Sequence, residues 1–129
     1  MLGKLINRPC IAVDLGTANT RMYSCEKGMI AEEPSVVRMV NSDREQESSD
    51  RLIEYLNSKL ISFPLRGGVI TEADKAVSLL KPMFKRLKTL RSPVSLACAP
   101  TDSTEKERRL LSEAISNAGA SHVAIIPEP

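Results

Sequence analysis

The chain has no tryptophan, only two tyrosines and two phenylalanines, and a single histidine in 129 residues. So few aromatic rings argue against a stacking platform for single-stranded nucleic acid. One histidine gives no basis for a Ser/His/Asp arrangement, and His122, at the start of an apolar run, reads as a packing or surface residue. Charge of one sign is also lacking: the net charge is +2, too mild to predict a nucleic-acid partner. No apolar run reaches the length of a spanning helix and no signal peptide is visible, so the expected location is cytoplasmic. The three cysteines, Cys10, Cys25 and Cys98, are odd in number and lack C-x-x-C spacing. They are expected to be buried free thiols rather than a disulfide frame or a metal site.

What is present fits one α/β domain: a hydrophobic fraction of 42% and a charged fraction of 26% are ordinary for a globular chain. Residues 10–14 form an apolar run ending in Asp14, the pattern of a central strand buried on both faces. Residues 20–25 and 28–31 flank Glu26-Lys27-Gly28 and read as a hairpin. Ser35 to Val40 reads as a third strand entered through Pro34. Residues 42–51, SDREQESSDR, contain nothing hydrophobic and form a solvated excursion, followed by a short helix bearing Leu52, Ile53, Leu56 and Leu60.

Thr71 is placed to cap a helix with the stripe Ala73, Ala76, Val77, Leu80, Phe84 and Leu87, and Pro82 is expected to kink or end it. Val94 to Ala99 is a strand. Thr104-Glu105-Lys106-Glu107 is a capping box for a helix that Gly119 stops, and His122 to Ile126 is the last strand. The order β-β-β, insertion, α-β-α-β predicts one mixed five-stranded sheet with flanking helices.

The chemistry concentrates in DLGTANT, residues 14–20. Gly16 permits a tight turn and close approach to a ligand, and Thr17, Ala18 and Asn19 are small enough to turn successive N–H groups outward as an anion cradle. Asp14 at the strand tip suits the water shell of a Mg²⁺ ion on phosphates. On the motif alone an ordinary Asp-Gly hairpin turn is the slightly better reading, because short Gly/Thr motifs are common.

The surroundings favour the first reading. DLGTANT, EPSVV (33–37), PLRGGVI (64–70), TEKERR (104–109) and AGASHVAIIPEP (118–129) occur in that order. From about residue 9 to its end the chain resembles the first half of the MreB-like bacterial actins, the rod shape-determining family. The resemblance implies an actin-like ATPase fold of the ribonuclease H-like type, with residues 1–129 as its first large domain and 41–70 as an inserted outer subdomain. It implies ATP and Mg²⁺ as ligands, Gly16, Thr17, Ala18 and Asn19 as the first phosphate loop, Asp14 facing Mg²⁺ through water, and Glu128 positioning the hydrolytic water. It further implies self-association into filaments that help set cell shape. The second phosphate loop, the adenosine pocket and the other large domain would lie beyond Pro129, so this chain alone is expected to be inactive. Gly67 stands where the family pattern has an acid, and Thr71-Glu72 replaces Ala-Asp.

Residues 81–91, KPMFKRLKTLR, hold five cations and no acid. They suggest peripheral docking on an anionic membrane at the inner face of the cell, through Leu87, Leu90 and Arg91, against the plainer reading of a helix with a solvated basic face. A chaperone-type or sugar-kinase-type ATPase, or a non-catalytic interaction module of the same fold, remains the alternative.

Overall fold

The structure is a computed structural model and describes residues 8–38 and 61–128. Its elements in chain order are β1 (Cys10–Leu15), β2 (Asn19–Ser24), β3 (Gly28–Pro34), β4 (Val37–Arg38), β5 (Ile61–Ser62), β6 (Leu65–Arg66), β7 (Val69–Ile70), α1 (Ala73–Lys85), β8 (Val94–Ala99), α2 (Glu105–Ala118) and β9 (His122–Pro127). The expected helix at 52–60 lies outside the described residues, as do Met39 and Val40 of the expected third strand.

Five strands form one sheet in the order β3-β2-β1-β8-β9. The meander β1-β2-β3 is antiparallel, whereas β8 and β9 run parallel to β1. The sheet is therefore the mixed one that the element order predicts. Residues 28–31, expected as the second arm of the hairpin, form the third strand of the meander and run on to Pro34, whereas the strand expected from Ser35 does not continue in this sheet. Pro34 pairs with Asn19 at the sheet edge, where a missing N–H breaks no ladder bond. The chain then leaves the sheet, and Val37 pairs with Ser62 in a separate two-stranded ribbon.

Burial along β1 alternates. Ile11, Val13 and Leu15 are buried, whereas Cys10 and Asp14 are exposed. The same alternation buries Ala97 and Ala99 on β8 and leaves Leu96 and Cys98 outside. The expectation of a strand buried on both faces is thus corrected: α1 and α2 pack together on one face, and among the described residues nothing covers the other. The cysteines follow from this. All three are exposed, because each falls on the uncovered side of the sheet or at its end.

Helix α1 supplies Ala76, Leu80, Met83 and Phe84 to the core, and α2 supplies Leu111, Ala114, Ile115 and Ala118. Fully burying a Leu- or Ile-sized side chain stabilises by roughly 1.5–3 kcal/mol. The capping box of α2 is formed as expected, with Thr104 Oγ1 accepting from Glu107 N–H and Glu107 Oε2 accepting from Thr104 N–H. Two expectations for α1 change. Its N-cap is Glu72 while the Thr71 hydroxyl donates to the Pro64 carbonyl, and the helix continues through Pro82 to Lys85. Leu65 and Ile70, within residues 41–70, are buried in the main core.

Candidate functional site

Strands β1, β8 and β9 are parallel, so their carboxyl ends share one edge of the sheet. Ligands of open α/β sheets bind outside that edge. There the chain leaves β1 through residues 16–19. Gly16 N–H donates to the Asn19 carbonyl at 3.1 Å, closing a tight turn. A Cβ at Gly16 would lie 2.6 Å from that same oxygen, so the close approach requires glycine. Thr17, Ala18 and Asn19 are exposed, and the N–H groups of Thr17 and Ala18 have no acceptor among the described residues. Of the four residues expected to present N–H groups, Gly16 spends its own on the turn.

The loop is fastened from below. Ser35 N–H donates to the Ala18 carbonyl at 2.8 Å, and the Ser35 hydroxyl donates to the Gly16 carbonyl at 2.5 Å. The same Ser35 oxygen lies 2.7 Å from Thr20 Oγ1, and both side chains are completely buried. Above, Gly68 N–H donates to Thr17 Oγ1 at 2.9 Å, tying the β6–β7 turn onto the loop. Gly68 has φ +78, and a Cβ there would meet Pro100 at 3.2 Å, so this seat also suits glycine alone. Ser35, Thr20 and Gly68 were not singled out from sequence. Their signal was the co-occurrence of EPSVV and PLRGGVI with DLGTANT, which the hydrogen bonds explain: each motif holds part of one loop.

Asp14 sits at the end of β1 with an exposed carboxylate. Its Oδ2 lies 3.7 Å from Arg21 on the paired position of β2, and Arg21 Nε donates to Glu32 Oε2 at 2.9 Å on β3. That hydrogen bond, followed by the charge of Glu32, pushes the Arg21 guanidinium above its ordinary value. Asp14 therefore faces a fixed cation on one oxygen. Glu128 follows β9 directly, and its N–H donates to the Ala99 carbonyl at 2.8 Å. It is exposed at the same sheet edge. With β8 between β1 and β9, strand spacing puts the two chain positions roughly 10 Å apart, the width of a small ligand.

The basic segment divides. Leu87 is only 6% exposed and belongs to the core, which removes it from the expected membrane-facing set; its position continues the buried stripe of α1. Leu90 is fully exposed, beside exposed Arg91 and after Lys88, whose φ of 50 turns the chain sharply. No helix among the described residues is long and apolar enough to cross a membrane.

A cavity of about 400 Å³ lies between the end of β3 and α1, with Pro34, Val36, Leu79, Pro82 and Met83 in its walls and the Glu33–Arg86 ion pair (2.5 Å) at its margin. Its walls are largely carbon, so it does not serve a phosphate group.

Residues 8–129 match the family model described as MreB/Mbl protein. The chain is 30% identical over 127 residues to the cell shape-determining protein Mbl of Bacillus subtilis, and 32% identical over 133 residues to the cell shape-determining protein MreB of Haemophilus influenzae. In both cases the match covers 92% of this chain and 38% of the relative, so the chain spans well under half the length of these proteins. Among solved structures, MreB5 of Spiroplasma citri bound to ADP superposes with a TM-score of 0.75 at 31% identity, covering 94% of this chain and 38% of that one. The MamK double helical filament gives a TM-score of 0.76 at 21% identity, with 95% and 42% coverage, a likeness of fold alone. The fold is actin-like.

Proposed function

The chain belongs to the MreB/Mbl protein family, and on that premise we propose that it forms the first half of an ATP-binding site in a filament-forming protein that helps determine cell shape. The observation that carries the reading is the 16–19 loop: the Thr17 and Ala18 N–H groups, without an acceptor among the described residues, at a parallel-strand edge, with the turn held by Ser35 below and Gly68 above. Donors fixed in that way suit an anion, because the loop loses little further freedom when a phosphate arrives. The relative solved with ADP, and the same protein solved with AMPPNP, support nucleotide as that anion.

The donor set fits Mg·ATP. Thr17 and Ala18 N–H groups would hold phosphate oxygens, and Asp14, with one oxygen free of Arg21, would hold the water shell of Mg²⁺. Bound there, Mg²⁺ supplies charge neutralisation on the phosphates. Glu128, across the edge, would accept a hydrogen bond from the attacking water and orient it; positioning of this kind is most of what a protein contributes to phosphoryl transfer. Filament formation and peripheral membrane binding belong to the same proposal. Leu90 supports the second, since a fully exposed leucine flanked by Lys88 and Arg91 presents both an apolar tip and cations worth about 1 kcal/mol each near anionic lipid.

Titration of this chain with Mg·ATP by calorimetry tests the first element. One loop and one carboxylate give a dissociation constant no tighter than roughly millimolar, about −4 kcal/mol. Extension to the length of the relatives brings tighter binding and turnover, which Glu128→Gln removes. An extended chain that binds no nucleotide overturns the reading. For the membrane, the pair Leu90→Ser and Arg91→Ser lowers binding to anionic vesicles; unchanged binding removes Leu90 from the interface.

A further inference from the structure

The meander carries a second chemical group at the end opposite the loop. Ile11 and Ser24 are the outermost partners of the β1–β2 ladder. One step beyond them Cys25 N–H donates to the Cys10 carbonyl at 3.2 Å, which sets the two cysteines directly across from one another. Both are exposed. The neighbouring Cys25 side chain, and after it burial, push the Cys10 thiol above its usual 9.0. A hydrogen-bonded cross-strand pair holds its Cα atoms about 5.5 Å apart, inside the window of roughly 4.4–6.8 Å that a disulfide spans.

We propose that Cys10 and Cys25 form an oxidisable dithiol that closes into a cross-strand disulfide, making the outer end of the β1–β2 hairpin a redox modification site. The oxidant is a hydroperoxide. One cysteine, as thiolate, attacks the terminal peroxide oxygen and becomes a sulfenic acid while the O–O bond breaks and alkoxide leaves as alcohol, or as water from hydrogen peroxide. The second sulfur then attacks the sulfenic sulfur, the S–O bond breaks, and water leaves. Two electrons pass from the sulfurs to the peroxide, and both thiol protons end on the departing oxygens. A small-molecule dithiol reverses the reaction by exchange.

The proposal is independent of the nucleotide reading. Cys10 lies five residues before Leu15, so the bridge sits roughly 16 Å along the strand from the loop and leaves the loop open. The retained proton on Cys10 argues against a catalytic thiol, since attack needs thiolate. Closure should accordingly be slow at neutral pH and quicken as pH rises. Cys98 is an internal control: it is exposed on the same sheet but pairs with Ile126 on β9, on the far side of β1.

The experiment treats the reduced 129-residue chain with hydrogen peroxide, alkylates the remaining thiols, and maps tryptic peptides by mass. Arg21 stands between the two cysteines, so cleavage there turns a Cys10–Cys25 disulfide into two joined peptides. The expected result is that joined pair, with Cys98 still alkylated, and a thermal midpoint that rises on oxidation and falls back with dithiothreitol. Cys98→Ser gives the same result, whereas Cys10→Ser and Cys25→Ser each abolish the rise. Separate alkylation of Cys10 and Cys25 after oxidation, or linkage of two chains through Cys98 in place of the internal pair, overturns the proposal.

Discussion

The two faces of the central sheet are made from the same strands yet live in different solvents. On one face Ile11, Val13, Met22, Ala97 and Ala99 lie against α1 and α2 and are at most 2% exposed. On the other, Leu96 and Ile126 are 37% and 41% exposed, beside Cys98 and Asp14. Side-chain type does not explain the difference, because leucine and isoleucine appear on both. What differs is the presence of a helix to pack against. Hydrophobic sequence states what a strand can bury, and connectivity decides what it does bury.

The sharpest way to break this comparison is to cut the same kind of side chain from each face. Ile11→Ala should cost about 2–5 kcal/mol, transfer plus cavity, and Leu96→Ala about 0.5 kcal/mol or less, read from denaturant midpoints of this chain. Equal losses would mean that the open face is covered in solution. Next in size is Ser35→Ala, at the junction between the closed face and the loop. It leaves a buried hydroxyl on Thr20 and the Gly16 carbonyl without their partner, and should cost about 1–3 kcal/mol. Amide exchange at Thr17 and Ala18 should quicken in the same variant; unaltered exchange would show that the turn holds itself.

The smallest effect belongs to the rim, where Glu72 meets Lys75 at 2.8 Å and accepts from the Ser62 hydroxyl. Lys75 first, and Ser62 second, hold the Glu72 carboxyl below its usual 4.5. A depressed acid contributes stability above its unfolded value and loses it as pH falls through the folded value. Wild type should therefore exceed Glu72→Gln slightly at neutral pH, with the gap closing below about pH 4.5. A gap that persists in strong acid would assign the effect to packing instead.

The parallel and antiparallel order, the capping box of α2 and the glycine turn at residue 16 were all legible in the sequence. Each depends on residues close together in the chain or on a repeating period. The uncovered face was not legible, because Cys10-Ile11-Ala12-Val13 reads as uniformly apolar whether or not both sides are packed. Pro34 misled for a related reason: proline ends a central strand but is harmless on an edge, and only the pairing reveals which strand is the edge. Leu87 had the period of the helix but also the neighbours of a basic surface, and burial resolved it. The roles of Ser35 and Gly68 were hidden because small residues carry no pattern of their own. They become meaningful only when the fold brings positions 51 residues apart, Thr17 and Gly68, within hydrogen-bond distance.

The parallel pairing of β1 with β8 also sets a timetable. Arg8 and Ser92, which meet just outside that pair, are 84 residues apart. At a synthesis rate on the order of 5–20 residues per second, several seconds separate the emergence of β1 from that of its parallel neighbour. During that interval the three-stranded meander can form, but β1 is then its outer strand, with free N–H and C=O groups along an apolar edge. Such an edge is a template for pairing with another nascent chain. The most hazardous moment for this protein therefore falls during its own synthesis, before Val94 has left the ribosome.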